Sequence, residues 1–198
     1  MNWLAATPTL EHGNLRLEPL SIEHLQGLIA ATQDGELWNI RVTSAPHPDQ
    51  VAAYIKHSLE QRTQQQRQAF AVINTQTGKV LGTTSYHDIV PNIQRLEIGY
   101  TWYAASAQRT HVNTTCKFLL LRHAFEDLGA QLVGFRTDNF NYRSQRAIER
   151  LGAKKDGVLR HHQPRKDGTV RDTVMYSIRA GEWVEVKAHL QDLLQKVY

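Results

Sequence analysis

The 198-residue sequence contains a single cysteine, Cys116. One thiol can form neither a disulfide within the chain nor a cysteine-based zinc cluster, so a reducing, cytoplasmic setting is expected. Six prolines and twelve glycines are too few for a collagenous or low-complexity chain. No apolar run approaches the roughly 18 residues of a membrane span, so no membrane partner is expected. The start, Met1-Asn2-Trp3-Leu4-Ala5, has no basic segment ahead of an apolar one and does not read as a secretory signal. The ten histidines show no helical pair backed by a carboxylate, so no metal is expected. Gly78-Lys79 lacks the glycine-rich lead and the following Ser/Thr of a phosphate-binding P-loop.

What is present suits one globular domain over residues 1–198. Apolar residues make up 41% and charged residues 21%, enough for a substantial core. The net charge of +4 is unevenly spread. Arg136 to Arg171 holds ten Lys/Arg against four Asp/Glu, a local +6. That segment is either a solvated face or a surface for an anionic ligand. No nucleic-acid recognition motif accompanies it, so nucleic acid is not expected as a partner.

Hydrophobic periodicity lays out the elements. Gly13 to Leu20 alternates as a strand, and Ser21 caps a short helix with Ile22, Leu25, Leu28 and Ile29 inward. Asp49 opens a second helix with Val51, Tyr54, Ile55 and Leu59 on one face. Ala69–Ile73 and Val80–Tyr86 form a hairpin around Gly78. Leu96, Ile98, Tyr100 and Trp102 alternate with Glu97, Gly99, Thr101 and Tyr103, which puts Glu97 opposite the large apolar residues. The strongest helix starts near Asn113 or Thr114 and repeats Cys116, Leu120, Ala124 and Leu128 until Gly129. Leu132–Phe135 reads as a buried strand and Asn141–Leu151 as a helix stopped by Gly152. Val158–Arg160 and Val170–Ile178 make a second hairpin, and Trp183, Val186, Leu190, Leu193 and Val197 face one side of a last helix. A mixed α+β fold follows, with a mostly antiparallel sheet and helices on both faces.

Three segments together resemble the GNAT N-acetyltransferase superfamily, in its ribosomal-protein alanine acetyltransferase-like branch. They are Glu97-Ile98-Gly99-Tyr100-Thr101-Trp102, the Arg109-Thr110-His111-Val112-Asn113-Thr114 run that enters the Leu-rich helix, and Asn141-x-x-Ser144 continuing to Leu151-Gly152-Ala153. The Arg-Thr-His loop resembles a sub-branch of that family. It departs from the usual glycine-containing pyrophosphate loop, because Ser106 to His111 holds no glycine.

The resemblance implies acetyl transfer from acetyl-CoA, as cosubstrate, to a primary amine by direct attack in a ternary complex. The acceptor is left open among a protein N-terminus, an amino acid, a polyamine and a drug. Arg109 to Thr114 would hold the CoA pyrophosphate through side chains and helix N-terminal amides. Asn141, with the strand around Trp102 and Tyr103, would hold the pantetheine. Glu97 is the candidate general base, directly or through water; a neighbouring arginine such as Arg95 or Arg136 could instead pair with it. Ser144 would serve the departing thiolate, with Tyr142 as fallback acid and His87 as fallback base. Cys116 reads as core. Trp38, Tyr86, Trp102 and Tyr103 are candidate cleft walls. A homodimer is allowed. A non-catalytic acyl-CoA-binding or interaction protein on the same fold is the alternative.

Overall fold

A computed structural model describes residue 3 and residues 8–196. Val197, expected on the last helix, lies outside the described residues, as does most of the N-terminal pentapeptide.

The strands are β1 (Leu10–His12), β2 (Leu15–Pro19), β3 (Arg67–Asn74), β4 (Val80–Val90), β5 (Arg95–Tyr103), β6 (Leu132–Asp138), β7 (Lys154–Pro164) and β8 (Val170–Arg179). The helices are α1 (Leu25–Gln33), α2 (Val51–Thr63), α3 (Val112–Arg122), α4 (Tyr142–Glu149) and α5 (Trp183–Gln195). The strands form one sheet in the order β1-β2-β3-β4-β5-β6-β8-β7. Every neighbouring pair is antiparallel except β5 with β6.

Side-chain alternation assigns the helices to faces. Thr83 meets the Tyr54 hydroxyl of α2 at 3.0 Å, while Tyr86 donates to the Leu120 carbonyl of α3 at 2.6 Å. α1 and α2 therefore cover one face, over β4 and β3, and α3 the other. α4 joins the α3 face, where Tyr176 donates to Glu149. α3 is buried along nearly its whole length, and Cys116, Leu119, Leu120 and Leu121 are fully enclosed. The spacing read from the sequence is thus a core stripe, extended by a π-helical turn over His123–Asp127. Beyond β4, the α1/α2 face has a different covering. The connector after α1 crosses to the β7–β8 turn, where Arg41 pairs with Asp167 at 2.6 Å and Lys166 donates to the Ala45 carbonyl at 2.5 Å.

Several expectations need correction. β1 was not expected; three residues carry too little pattern. α3 starts at Val112, slightly before the expected Asn113 or Thr114, and α4 is shorter than Asn141–Leu151. β7 is eleven residues long, where the sequence suggested three, because an exposed strand needs no apolar alternation. The alternation assigned to β5 slips at Tyr100. Ser85 pairs with Gly99 but Thr83 with Trp102, so Tyr100 and Thr101 oppose the single residue Thr84. Tyr100 takes φ +49°, and this bulge returns Trp102 to the same face as Glu97.

Candidate active site

β5 and β6 are paired at three positions only: Arg95 with Leu132, Leu96 with Val133 and Glu97 with Gly134. β6 continues along β8 to Asp138, whereas β5 is bent by its bulge. From Ile98 to Tyr103 on one side and Phe135 to Asp138 on the other, the facing strand edges have no strand partner among the described residues. The result is a V-shaped opening with backbone donors and acceptors on both arms.

Glu97 stands at the vertex of that opening and is 1% exposed. The Arg136 guanidinium grips it in a fork, Nε to Oε2 at 2.5 Å and Nη2 to Oε1 at 2.6 Å. Arg95 donates to Oε1 at 3.2 Å, and Asp88 bridges both arginines. Gly134 makes room for this pair, since a Cβ there would sit 2.8 Å from Glu97 Cγ. Burial pushes the Glu97 carboxyl up, while the hydrogen bond and charge of Arg136 pull it down and Asp88 pushes it up. The fork geometry marks the pair as ionised. The carboxylate expected to serve an acceptor instead has both oxygens engaged by arginine. Of the two uses the sequence left open, the pairing with Arg95 and Arg136 is the one observed.

His87, the fallback base, lies 3.9 Å from Glu97 and edge-on to Tyr100. Burial, with the charges of Arg136, Arg67 and Lys117, lowers it to about 3. It is a neutral imidazole at physiological pH and a poor proton acceptor.

Beyond the end of β5, where Gln108 donates to the Tyr103 carbonyl at 2.7 Å, the loop before α3 lines a pocket of about 200 Å³ with Arg109, Thr110, His111 and Thr114, joined by Arg150, Leu193 and Leu194. The N–H groups of Asn113 and Thr114 find no acceptor among the described residues, as expected in a helix's first turn. Arg109 takes φ +62°, the region glycine favours, so it carries the chain through the turn despite the missing glycines. His111 Nε2 lies 3.0 Å from Asn14 Oδ1, and burial lowers its pKa. The positive charge comes from Arg109 and Arg150, rather than from Arg109 and His111. Val112 is 3% exposed and contributes packing. Sequence reading missed Arg150, which donates to Thr114 Oγ1 at 3.2 Å. The available signal was its position seven residues after Arg143, two helical turns along one face. Arg143 itself donates to Gln108 at 2.6 Å, tying α4 to the loop.

Asn141 caps α4, its Oδ1 accepting from the Ser144 N–H at 3.0 Å. One lone pair of that oxygen is used within the helix, and the amide nitrogen donates to the Val42 carbonyl at 3.4 Å. Ser144 lies in the first turn, half-buried, and its hydroxyl makes no hydrogen bond with a described residue. Tyr142 is exposed. The four candidate walls separate. Trp102 packs edge-on to Tyr54 on the α2 face, and Trp38 meets His47 in the connector. Tyr86 and Tyr103 are buried against α3, where burial pushes the Cys116 thiol up to about 12. His161 and His162 join no group of metal-ligating side chains, and none occurs among the described residues. No helix among them is long and apolar enough to cross a membrane.

Residues 14–154 match the family model described as an acetyltransferase (GNAT) domain. A chain from T. thermophilus assigned as an acetyltransferase is 36% identical, with 96% of this chain and 98% of that one covered at a TM-score of 0.83. A GCN5-related N-acetyltransferase from Brucella melitensis is 27% identical over 94% of this chain and 85% of its own, at a TM-score of 0.84. The N-acetyltransferase YoaA of Bacillus subtilis, of uncharacterized function, is 28% identical over 102 residues, 52% of this chain and 56% of YoaA. The chain thus spans little more than half the length of that curated relative. With the parted β5 and β6, the open N-terminus of α3 and a family match over most of its length, the chain belongs to the GNAT acetyltransferase family.

Proposed function

We propose that the chain, as a single domain over 1–198, transfers the acetyl group of acetyl-CoA to a primary amine. The observation that carries this reading is the parting of β5 from β6 beside an α3 N-terminus flanked by two cations. An extended, amide-bearing arm can pair with the exposed β5 edge. The Asn113 and Thr114 amides, with Arg109 and Arg150, suit its pyrophosphate. The amine nitrogen attacks the thioester carbonyl; the C–N bond forms, the C–S bond breaks, and the thiolate leaves near Ser144, whose hydroxyl supplies it with a hydrogen bond or proton.

Glu97 is better suited to hold the vertex closed than to take the amine's proton. Burial leaves its pKa above the ordinary carboxylate value, but both its oxygens are already engaged by arginine N–H groups and neither is turned to an acceptor. The proton therefore leaves to water from an amine that attacks as its neutral form, and the site acts mainly by positioning. Below the amine's pKa, kcat/KM then rises about tenfold per pH unit, with no lower plateau set by an enzyme base. The setting is the cytoplasm, where buried Cys116 remains a thiol.

The test is thiol release from acetyl-CoA across an amine panel, read beside the rise in Tm that CoA produces. Arg109→Glu should remove most of that rise. A variant that binds CoA like the wild type overturns the loop assignment. CoA binding without turnover of any amine would instead favour the non-catalytic acyl-CoA-binding reading, for which the engaged Glu97 and neutral His87 speak.

A further inference from the structure

Five arginines of the described residues stand on the α1/α2 face of the sheet around the opening, and four of them are accounted for, Arg95 by Asp88 and Glu97. Arg136 is held by Glu97 and Asp88. Arg165 pairs with buried Asp138 at 2.6 Å. Arg67 is 2% exposed, sealed between hydrogen bonds to Ser85, Gln61 and Tyr54 and the ring of Tyr100, 4.0 Å from its guanidinium carbon.

Arg171, on β8, is different. Its Nε donates to Thr173 Oγ1 at 3.1 Å and its Nη2 to Gln163 Oε1 at 2.8 Å. Both acceptors are neutral, as those of Arg67 are, but Arg171 is only half-buried and does not engage all its nitrogens. Thr173 is fully buried and also meets His162 at 3.0 Å, so the guanidinium is fixed from behind. No carboxylate of the described residues forms a salt bridge with Arg171, and its Nη1 has no hydrogen-bond partner among them. Burial and the neighbouring charges of Arg136 and Arg165 oppose its positive charge; Asp138 and Tyr100 favour it. Arg171 stands on β8 two residues beyond Thr173, the partner of Asp138 at the end of the open β6 arm, which puts the cation beside that arm of the opening. A half-buried guanidinium, held rigidly by neutral groups with one nitrogen unused, is poised to bind an anion in a charge-assisted bond.

We propose that Arg171 binds an anionic oxygen group of the acceptor, so that the substrates are small amines that also carry a carboxylate or a phosphate. This rests on the acetyl-transfer reading of the same site. It disfavours polyamines, whose extra positive charges would face Arg136, Arg165 and Arg171.

The experiment compares matched acceptors with acetyl-CoA: an α-amino acid and its carboxamide, and phosphoethanolamine and ethanolamine. In the wild type, one anionic twin should exceed its neutral twin in kcat/KM by roughly 30-fold, the scale of one charged hydrogen bond, with each kcat/KM referred to the neutral-amine fraction of its acceptor. Which pair shows the gap distinguishes carboxylate from phosphate. In Arg171→Gln the gap should close to within about threefold, chiefly through KM, while the CoA-induced Tm rise is unchanged. Arg171→Lys should retain part of it, since it keeps the charge and loses the fork. A wild-type ratio of one or below overturns the proposal without any variant, and so does an undiminished ratio in Arg171→Gln. Binding is measured separately, with N-acetylated amino acids and their carboxamides added to the CoA-loaded protein. An Arg171-dependent preference for the carboxylate without turnover of any amine upholds the anion site and overturns acetyl transfer. Turnover without charge preference does the reverse.

Discussion

The vertex of the opening and the α3 face of β5 bury charge in opposite ways. On the α1/α2 face, Glu97, Asp88, Arg95 and Arg136 neutralise one another in a compact cluster at the vertex. On the α3 face a lone cation, Lys117, is 5% exposed and donates only to the hydroxyls of Thr84 and Thr101, at 3.1 and 2.7 Å. A compensated cluster is stable while complete and costly when one member is removed. An uncompensated cation is unfavourable as it stands, and burial lowers Lys117 from 10.5 to about 8. Both anchor β5 where it parts from β6, the cluster just before the bulge and Lys117 at the bulge residue Thr101.

The largest effect should come from breaking the cluster. Glu97→Gln removes the charge that faces Arg136 and Arg95, and should lower stability by about 3 kcal/mol. If Glu97 holds the vertex, CoA affinity and turnover fall together, and the slope of rate against pH is unchanged. A loss of about 10²-fold in kcat with CoA affinity intact and a flattened pH dependence would restore Glu97 as the proton acceptor. Ser144→Ala offers the contrast: lower kcat, with neither stability nor CoA affinity much altered.

Removing the lone cation should act in the opposite sense. Lys117 releases its proton near pH 8 when folded and near 10.5 when unfolded. The unfolded chain binds more protons between those values, so this residue's contribution to stability rises with pH across that window. At pH 7 the buried charge disfavours folding by up to about 3 kcal/mol, before its two hydrogen bonds are counted. Lys117→Met should therefore raise Tm at pH 7, since Thr84 and Thr101 still bond each other at 2.8 Å. The advantage should shrink as pH climbs from 8 to 10.5. Denaturation of both proteins over that range checks it; a gain that does not change with pH would place Lys117 outside this account. Cys116 feels the charge of Lys117, but burial pushes it up to about 12, so it stays a thiol across this window in both proteins.

The smallest effect is expected beside Lys117. Cys116 is fully buried and burial keeps it a thiol, so it cannot act as a nucleophile. Cys116→Ala should lose about 1 kcal/mol of stability and keep kcat within about tenfold. Detecting an acetylated Cys116 during turnover would contradict this.

Much of the fold was legible because burial writes a period into the chain. The Cys116-Leu120-Ala124 stripe marks α3, and Gly78 at φ +68° marks the β3–β4 turn. Less of the site could be read. The phase of β5 was lost at Tyr100, a non-glycine residue in the left-handed region that no local pattern announces. Arg95 and Arg136 were named as rivals for Glu97, but only tertiary packing decides whether a guanidinium 39 positions away arrives. Arg150 and Arg171 were submerged in the basic segment, where ten like residues look alike until their partners are seen. The link from Arg41 to Asp167 spans 126 positions and leaves no periodic trace.

β7 is the outer strand of the sheet, and it is poorly shaped for adding another. Its register with β8 slips between Lys155 and Gly157 and again between Leu159 and Gln163, with His161 at φ +50°. Lys154, Lys155, Asp156 and Arg160 stud its exposed length, and Pro164 ends it. Kinks, charge and a missing N–H donor are what discourage edge-to-edge growth. At the opposite margin β1 offers three residues. Two molecules therefore have little means of joining by a continuous sheet, and self-association, where it occurs, is steered toward helix or loop surfaces and away from fibrous stacking.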